Sequence, residues 1–180
     1  MTSSGRWLGQ HVSVPAKADV GILLLALTVA VTIPAAAGTP TPGVPNILGY
    51  PYGRECPQAG HEEQADRWHM NTCNCTSYVA WALAANGQGV GWFRLGEMDA
   101  HNWPKVARMS GLQTGSVPRV GAVAVWPRLS PPWGHVGYVT AVRSNGTFDV
   151  AEYNLERRFE FDARYRVATS GVTFVYVPRR

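Results

Sequence analysis

Chemistry-bearing side chains fall into two groups along the chain: Cys56, Cys73 and Cys75 in the first half, and His135, Glu152 and Asn154 in the second. A thiol becomes a strong nucleophile only as its thiolate. The first turn of a helix, where backbone N–H groups are unpaired and the dipole is positive, favours that form. Cys75 stands at such a start. His135 is flanked by Gly134 and Gly137, which leave room for a substrate backbone to approach, and Glu152 and Asn154 follow on the next extended run. Nucleophile, base and orienter are the parts of a cysteine hydrolase. Singly, each has a plainer reading, since most free cysteines are small buried hydrophobes and most lone histidines are structural.

The odd cysteine count predicts one free thiol beside one disulfide. Cys73 and Cys75 are poorly placed to pair with each other, so Cys56 with Cys73 is the expected bridge and Cys75 the free thiol. For the oxyanion of an acyl-transfer step, the Cys75 backbone N–H is one expected donor. Asn71 or Asn74 could add a side-chain donor, and no motif decides between them.

The elements that must position these groups follow from periodicity. From Asn74 to Ala85, the residues Cys75, Tyr78, Val79, Ala82 and Leu83 share one face at helical spacing, and Asn86-Gly87 can close the helix with a left-handed cap. A second short helix is expected over Pro104 to Met109, with proline in the first turn and Gly111 as the stop. Beyond Pro118 the runs Val120–Trp126, His135–Val142, Thr147–Tyr153 and Val172–Val177 are β-branched or aromatic and separated by turn residues. Helices followed by strands imply an α+β fold, with N-terminal helices packed on an antiparallel sheet.

Ser144-Asn145-Gly146-Thr147 lies between two of these runs, and Asn-Gly is the favoured two-residue hairpin turn. Pairing Ser144 with Thr147 would set Gly137 against Asn154 and Val139 against Glu152. His135, Glu152 and Asn154 then share one face, with Asn154 the diagonal neighbour of His135. Glu152 would lie one residue pair too far from His135, so a bulge or a different loop is required before carboxylate and imidazole can meet.

The N-terminus reads as an export segment. A polar lead with Arg6, His11 and Lys17 precedes 14 residues, Val20 to Ile33, that are apolar apart from threonine. Pro34 and the small residues Ala35 to Gly38 follow. This is the layout of a secretory signal at 1–37, and the apolar run falls short of the roughly 20 residues of a membrane span. An uncleaved anchor from Val20 to Ala37 is the alternative, and membrane contact is expected only in that case. Residues 38–49 form a Pro/Gly-rich linker and 50–180 the folded domain, large enough for one core. The chain has 180 residues, 46% hydrophobic and 16% charged, and a net charge of +4. Its cations are scattered and form no stripe interleaved with aromatics, which excludes nucleic acid as a partner.

Four ordered stretches carry a resemblance: Asn74-Cys75-Thr76-Ser77-Tyr78-Val79-Ala80-Trp81, Pro118 to Trp126, Gly134-His135-Val136-Gly137-Tyr138-Val139, and Glu152-Tyr153-Asn154. Together with Tyr50-Pro51-Tyr52-Gly53 and the Trp103 segment, they resemble the CHAP family, the cysteine, histidine-dependent amidohydrolases/peptidases. The resemblance implies a papain-like (NlpC/P60-like) α+β fold and cleavage of amide or peptide bonds in peptidoglycan. It carries over Cys75 as nucleophile, His135 as base, Glu152 as orienter and Asn154 in support, with Asn74 and Trp133 as candidate substrate contacts. The NlpC/P60 relatives differ in that their nucleophile usually follows Asp and their third residue is usually His. The expected protein is a secreted or wall-associated monomer whose partner is peptidoglycan.

Two rivals remain on the sequence. His61, His69, Cys73 and Cys75 have zinc-ligand chemistry, though no paired two-residue spacer, and a zinc domain would leave His135 and Glu152 unexplained. A non-catalytic wall-binding module would stack sugars on Trp92, Trp103, Trp126 or Trp133, of which Trp126 reads as core and Trp133 as cleft. No cofactor is expected, and the Asp-rich loop of a calcium site is missing from the sequence.

Overall fold

A computed structural model describes residues 45–56, 64–94 and 97–180. The expected export segment, residues 38–44 of the expected linker, and His61 lie outside the described residues. Among the described residues no helix is long and apolar enough to cross a membrane.

The helix α1 spans Cys75–Ala85, with Asn74 as its N-cap and Gly87 at φ 73° just beyond its end. Tyr78, Val79, Ala82 and Leu83 are fully buried, as are Ser77 and Ala80 on its flanks. A single 3-10 turn, Ala100–Asn102, leads into α2, Trp103–Met109, with Pro104 in its first turn.

Six strands follow: β1 Gln113–Gly115, β2 Val123–Trp126, β3 His135–Val142, β4 Phe148–Tyr153, β5 Phe161–Val167 and β6 Thr173–Tyr176. They form one antiparallel sheet in the order β1-β6-β2-β3-β4-β5. β1 and β5 were not expected from the sequence. β5 alternates Phe161, Ala163, Tyr165 and Val167 with Asp162, Arg164 and Arg166, and its charged residues belong to a sheet edge, where charge discourages further strand pairing.

Alternation along the central strands divides the interior. Val123, Val125, Val136, Tyr138, Ala151, Tyr153 and Val175 join the buried face of α1 in one core. Ala122, Ala124, Trp126, Val139, Phe148, Val150, Val172 and Phe174 make a second cluster. Each fully buried Val or Phe among them contributes about 1.5–3 kcal/mol by leaving water. Gln88, just past α1, ties the layers together: its amide donates to the carbonyls of Gly121 (2.9 Å) and Val177 (2.7 Å) and accepts from the Tyr138 hydroxyl (2.7 Å).

The β3–β4 hairpin corrects the expected register. Arg143 donates to Thr147 across a three-residue loop, and Gly146 takes the left-handed φ of 82° that closes it. Asn145 accepts from the Thr147 N–H and hydroxyl, so its side chain is consumed in shaping the wider loop. The pairs are Val142 with Phe148 and Ala141 with Asp149. After an irregularity at Thr140 they become Val139 with Val150 and Tyr138 with Ala151.

Candidate active site

Cys75 is the first residue of α1 and His135 the first of β3, so helix start and strand start supply the two reacting groups. The thiol is half-buried, and His135 and the backbone N–H groups of Val136 and Thr76 hydrogen-bond to it. Burial pushes the thiol up, but the His135 charge and these hydrogen bonds outweigh it and hold Cys75 below the ordinary cysteine range. Burial alone would lower His135. The facing Cys75 charge and hydrogen bond, with Glu152 behind, raise it instead to about 9. Both shifts run in the direction that favours a thiolate beside an imidazolium.

The next contact is His135 Nε2 with Glu152 Oε2 at 3.0 Å, both side chains essentially fully buried. That bond occupies Nε2 and leaves Nδ1 as the ring nitrogen that faces the thiol. Burial would raise the Glu152 carboxyl, yet His135 and Arg164 keep it below the usual carboxylate range. Arg164, on β5, grips both carboxylate oxygens, Nε on Oε1 and Nη2 on Oε2 at 2.9 Å. Its guanidinium lies 4.8 Å over the Trp126 ring, which itself packs 5.9 Å from the His135 ring. Sequence reasoning missed Arg164. The signal was the strict alternation of Phe161 to Val167.

Asn154 does not reach His135. Held at φ 57°, it accepts from the Phe159 N–H (2.9 Å) and donates to the Asn74 side chain (2.6 Å). Asn74 in turn donates to the Thr72 carbonyl at 3.3 Å, so its side chain braces the residue before the nucleophile. The Cys75 N–H sits in the first turn of α1, where no intrahelical acceptor exists.

Cys56 and Cys73 are joined by a disulfide with their Cα atoms 5.2 Å apart, and Cys75 is free. Cys73 takes a left-handed φ of 64°, and its N–H donates to the Tyr50 hydroxyl at 3.0 Å. The Tyr50 hydroxyl also shares a 2.6 Å hydrogen bond with Ser77 on α1. Disulfide and tyrosine thus pin the turn that delivers Cys75.

Bonded to Cys56, Cys73 has no thiolate to offer zinc, and His69 is exposed. Among the described residues no cluster of three metal-ligating side chains exists. Of the tryptophans named for sugar stacking, Trp92, Trp103 and Trp126 are buried in the interior. Trp133 is 60% exposed, directly before Gly134-His135, and its carbonyl accepts from the His101 N–H at 2.9 Å.

Comparison with known proteins agrees with this geometry. The CHAP domain model matches residues 65–154, half of the chain, from the loop before Cys75 to Asn154. The "Probable autolysin LDP" of Staphylococcus aureus (strain NCTC 8325 / PS 47) is 36% identical over 83 residues, covering 45% of this chain and 27% of that protein. Staphylococcal secretory antigen SsaA of the same strain is 39% identical over 56 residues, 31% of this chain and 21% of that protein. The chain thus matches about a quarter of the length of these curated relatives. The crystal structure of an N-acetylmuramoyl-L-alanine amidase from Staphylococcus aureus superposes with a TM-score of 0.55 at 22% identity, over 63% of this chain and 32% of that one. The likeness shows a shared papain-like α+β fold.

Proposed function

The chain belongs to the CHAP domain family, and on that premise we propose that it is an exported peptidoglycan hydrolase cleaving an amide or peptide bond with Cys75 as nucleophile. The observation that carries the reading is the unbroken line from the helix-start thiol through His135 to the buried Glu152 carboxylate. The printed names of the relatives, an autolysin and a secretory antigen, support the substrate class and an extracytoplasmic location. The apolar leader and the Cys56–Cys73 disulfide support export as well, because disulfides persist in oxidising compartments.

The chemistry is acyl transfer. The Cys75 thiolate attacks the scissile carbonyl, and the oxygen that becomes negative is received by the Cys75 N–H. His135, already protonated, gives its Nδ1 proton to the departing amine as the C–N bond breaks, leaving an acyl thioester on Cys75. Neutral His135 then takes a proton from water, whose oxygen attacks the thioester carbonyl. The acid departs and the thiolate–imidazolium pair returns. Glu152 acts throughout on His135, fixing the ring plane and compensating its charge.

Digestion of purified peptidoglycan by the wild type and by Cys75→Ala, with the soluble products identified by mass spectrometry, tests the proposal. Cysteine-dependent fragments with new amino termini or free amines are expected, and the fragment masses identify the bond. Equal digestion by both proteins would overturn the assignment. Binding without digestion by the wild type would leave a wall-binding module that presents Trp133.

A further inference from the structure

Beyond the thiol, imidazole and carboxylate lies a fourth charged group, and we propose that Arg164 is a positioning residue of this site: its forked grip, seated on Trp126, fixes the Glu152 carboxylate in the plane from which it orients His135. This rests on the hydrolase reading of the Cys75 site, although its principal test does not require peptidoglycan.

Geometry carries the argument. Glu152 is wholly buried, and a carboxylate held by one imidazole could rotate about its last torsion and present either oxygen. Arg164 removes that freedom, since a guanidinium matches both oxygens of a carboxylate in one plane. The guanidinium is fixed in its turn by the face of Trp126 and by its strand: Arg164 pairs with Val150 two residues from Glu152, on the same side of the sheet. Trp126, the register partner of His135, packs against both the imidazole and the guanidinium, so base and clamp share one wall.

Charge gives the second reason. Thiolate, imidazolium and carboxylate together carry one net negative charge in a largely desolvated site, a costly arrangement unless it is paired. Arg164 completes an alternating series of four. The other ionisable groups facing Glu152 do not replace it. Asp162 on β5 is its register partner and adds negative charge, held 3.9 Å from Arg157. Tyr78 comes from α1 and is neutral, its hydroxyl pushed far above its ordinary range by burial and by the neighbouring Tyr138, Tyr153 and Glu152. From β3 comes only His135, with Cys75 beyond it.

The test compares the full-length wild type with Arg164→Gln and Arg164→Lys, reading the rate at which iodoacetamide alkylates Cys75 against pH, together with thermal unfolding. Without the guanidinium, burial protonates Glu152 at higher pH, the imidazolium loses its partner and the thiolate its counter-ion. The acid limb of Arg164→Gln is expected to move up by about one pH unit, so that alkylation below the limb falls about tenfold while the plateau changes little. Arg164→Lys restores the charge and is expected to return the limb close to the wild type, with kcat on peptidoglycan still several-fold lower at unchanged KM, because a point charge cannot hold both oxygens. Superimposed limbs for wild type and Arg164→Gln would overturn the proposal, as would a pH-independent loss shared equally by both variants with a lowered melting temperature. If Arg164→Gln does not fold, Arg164→Lys decides, and wild-type kcat there overturns the positioning role. A wild type that digests no peptidoglycan but whose alkylation limb moves in Arg164→Gln overturns the hydrolase reading and supports this one.

Discussion

His135 Nε2 meets Glu152 Oε2 at 3.0 Å because two one-residue irregularities in the hairpin add up to one residue pair. The three-residue loop at Ser144 to Gly146 moves the register by one residue, which by itself would place the imidazole and carboxylate on opposite faces. The extra residue at Thr140 moves it by a second, restores the face and brings Glu152 opposite Gly137, diagonal to His135. Asn154, now opposite His135 along the strand, turns away into its left-handed conformation and serves Asn74 instead.

The contact makes Glu152→Gln a sharp test. The amide keeps the shape but offers no charge to the imidazolium, and it confronts Arg164 with a neutral group in a buried site. A fall of about a hundredfold in kcat is expected, within the range for a misdirected general acid and base. Steady-state kinetics on peptidoglycan fragments would show it, and activity within twofold of the wild type would remove Glu152 from the mechanism.

Titration gives a second test, with signs set by the directions of the two shifts. The thiolate is present above the lowered Cys75 pKa, and the imidazolium is lost as pH rises through about 9. The native pair therefore contributes stability that disappears on the alkaline side near that value, and on the acid side as the thiolate and Glu152 protonate. Cys75→Ala removes the facing negative charge, so the His135 pKa should drop below that of the wild type. NMR titration of the imidazole reads this directly. An unchanged His135 pKa would mean that the thiol is not its partner.

Much of this site was legible in the sequence for an identifiable reason. Cys75 announces itself because a helical face begins at it, and His135 because two glycines mark its strand, although Gly134 packs on His101 and Gly137 on Val150, so neither opens space for a substrate. Arg164 is silent because β5 alternates charged with apolar residues at an edge, a pattern that reads equally well as a solvated segment. The register is also silent. Ser-Asn-Gly-Thr fits a two-residue turn until the Asn145 side chain commits to Thr147, and the Thr140 bulge has no glycine or proline to mark it. Fold class needs only periodicity, whereas the meeting of two side chains needs a residue-by-residue count that loop geometry decides.

The disulfide should matter chiefly for stability. Cys56 and Cys73 are separated by 17 positions, and closing a loop of that size stabilises by about 3 kcal/mol through the unfolded chain. Cys56→Ser with Cys73→Ser should lower the urea midpoint accordingly, with wild type in reductant matching the double variant. Cys75 alkylation should persist in the folded double variant, because the Tyr50 hydroxyl still holds the residue 73 N–H. Loss of thiol reactivity without loss of stability would place the bridge in the chemistry instead.

Asn154→Ala tests the brace behind the nucleophile. It removes the 2.6 Å donor to Asn74 and the acceptor for the Phe159 N–H, while Cys75, His135 and Glu152 keep their own contacts. A loss of about tenfold in kcat is expected, less than for the reacting pair because the group acts on position only. Part of any destabilisation comes from forcing alanine into a positive φ, so Asn154→Gly separates the two effects: it relieves the backbone but cannot restore the brace. Activity regained in Asn154→Gly would assign the effect to backbone strain and remove Asn74 from the argument.

Gly137 offers the most local test, because it faces the strand that carries Glu152. A Cβ there would collide with Val150 Cγ2 and lie 3.4 Å from both the Ala151 carbonyl oxygen and Glu152 Cβ. The obstacles are a β-branched side chain and a backbone atom in a filled interior, so the strands must separate. Gly137→Ala should cost about 1–3 kcal/mol as an overpacking change. It should also lower kcat, since β4 can retreat only by carrying Glu152 away from His135. Equilibrium urea unfolding and kinetics on the same protein distinguish the two consequences. A destabilised variant with full activity would show that the imidazole and carboxylate tolerate a wider spacing than the 3.0 Å contact implies.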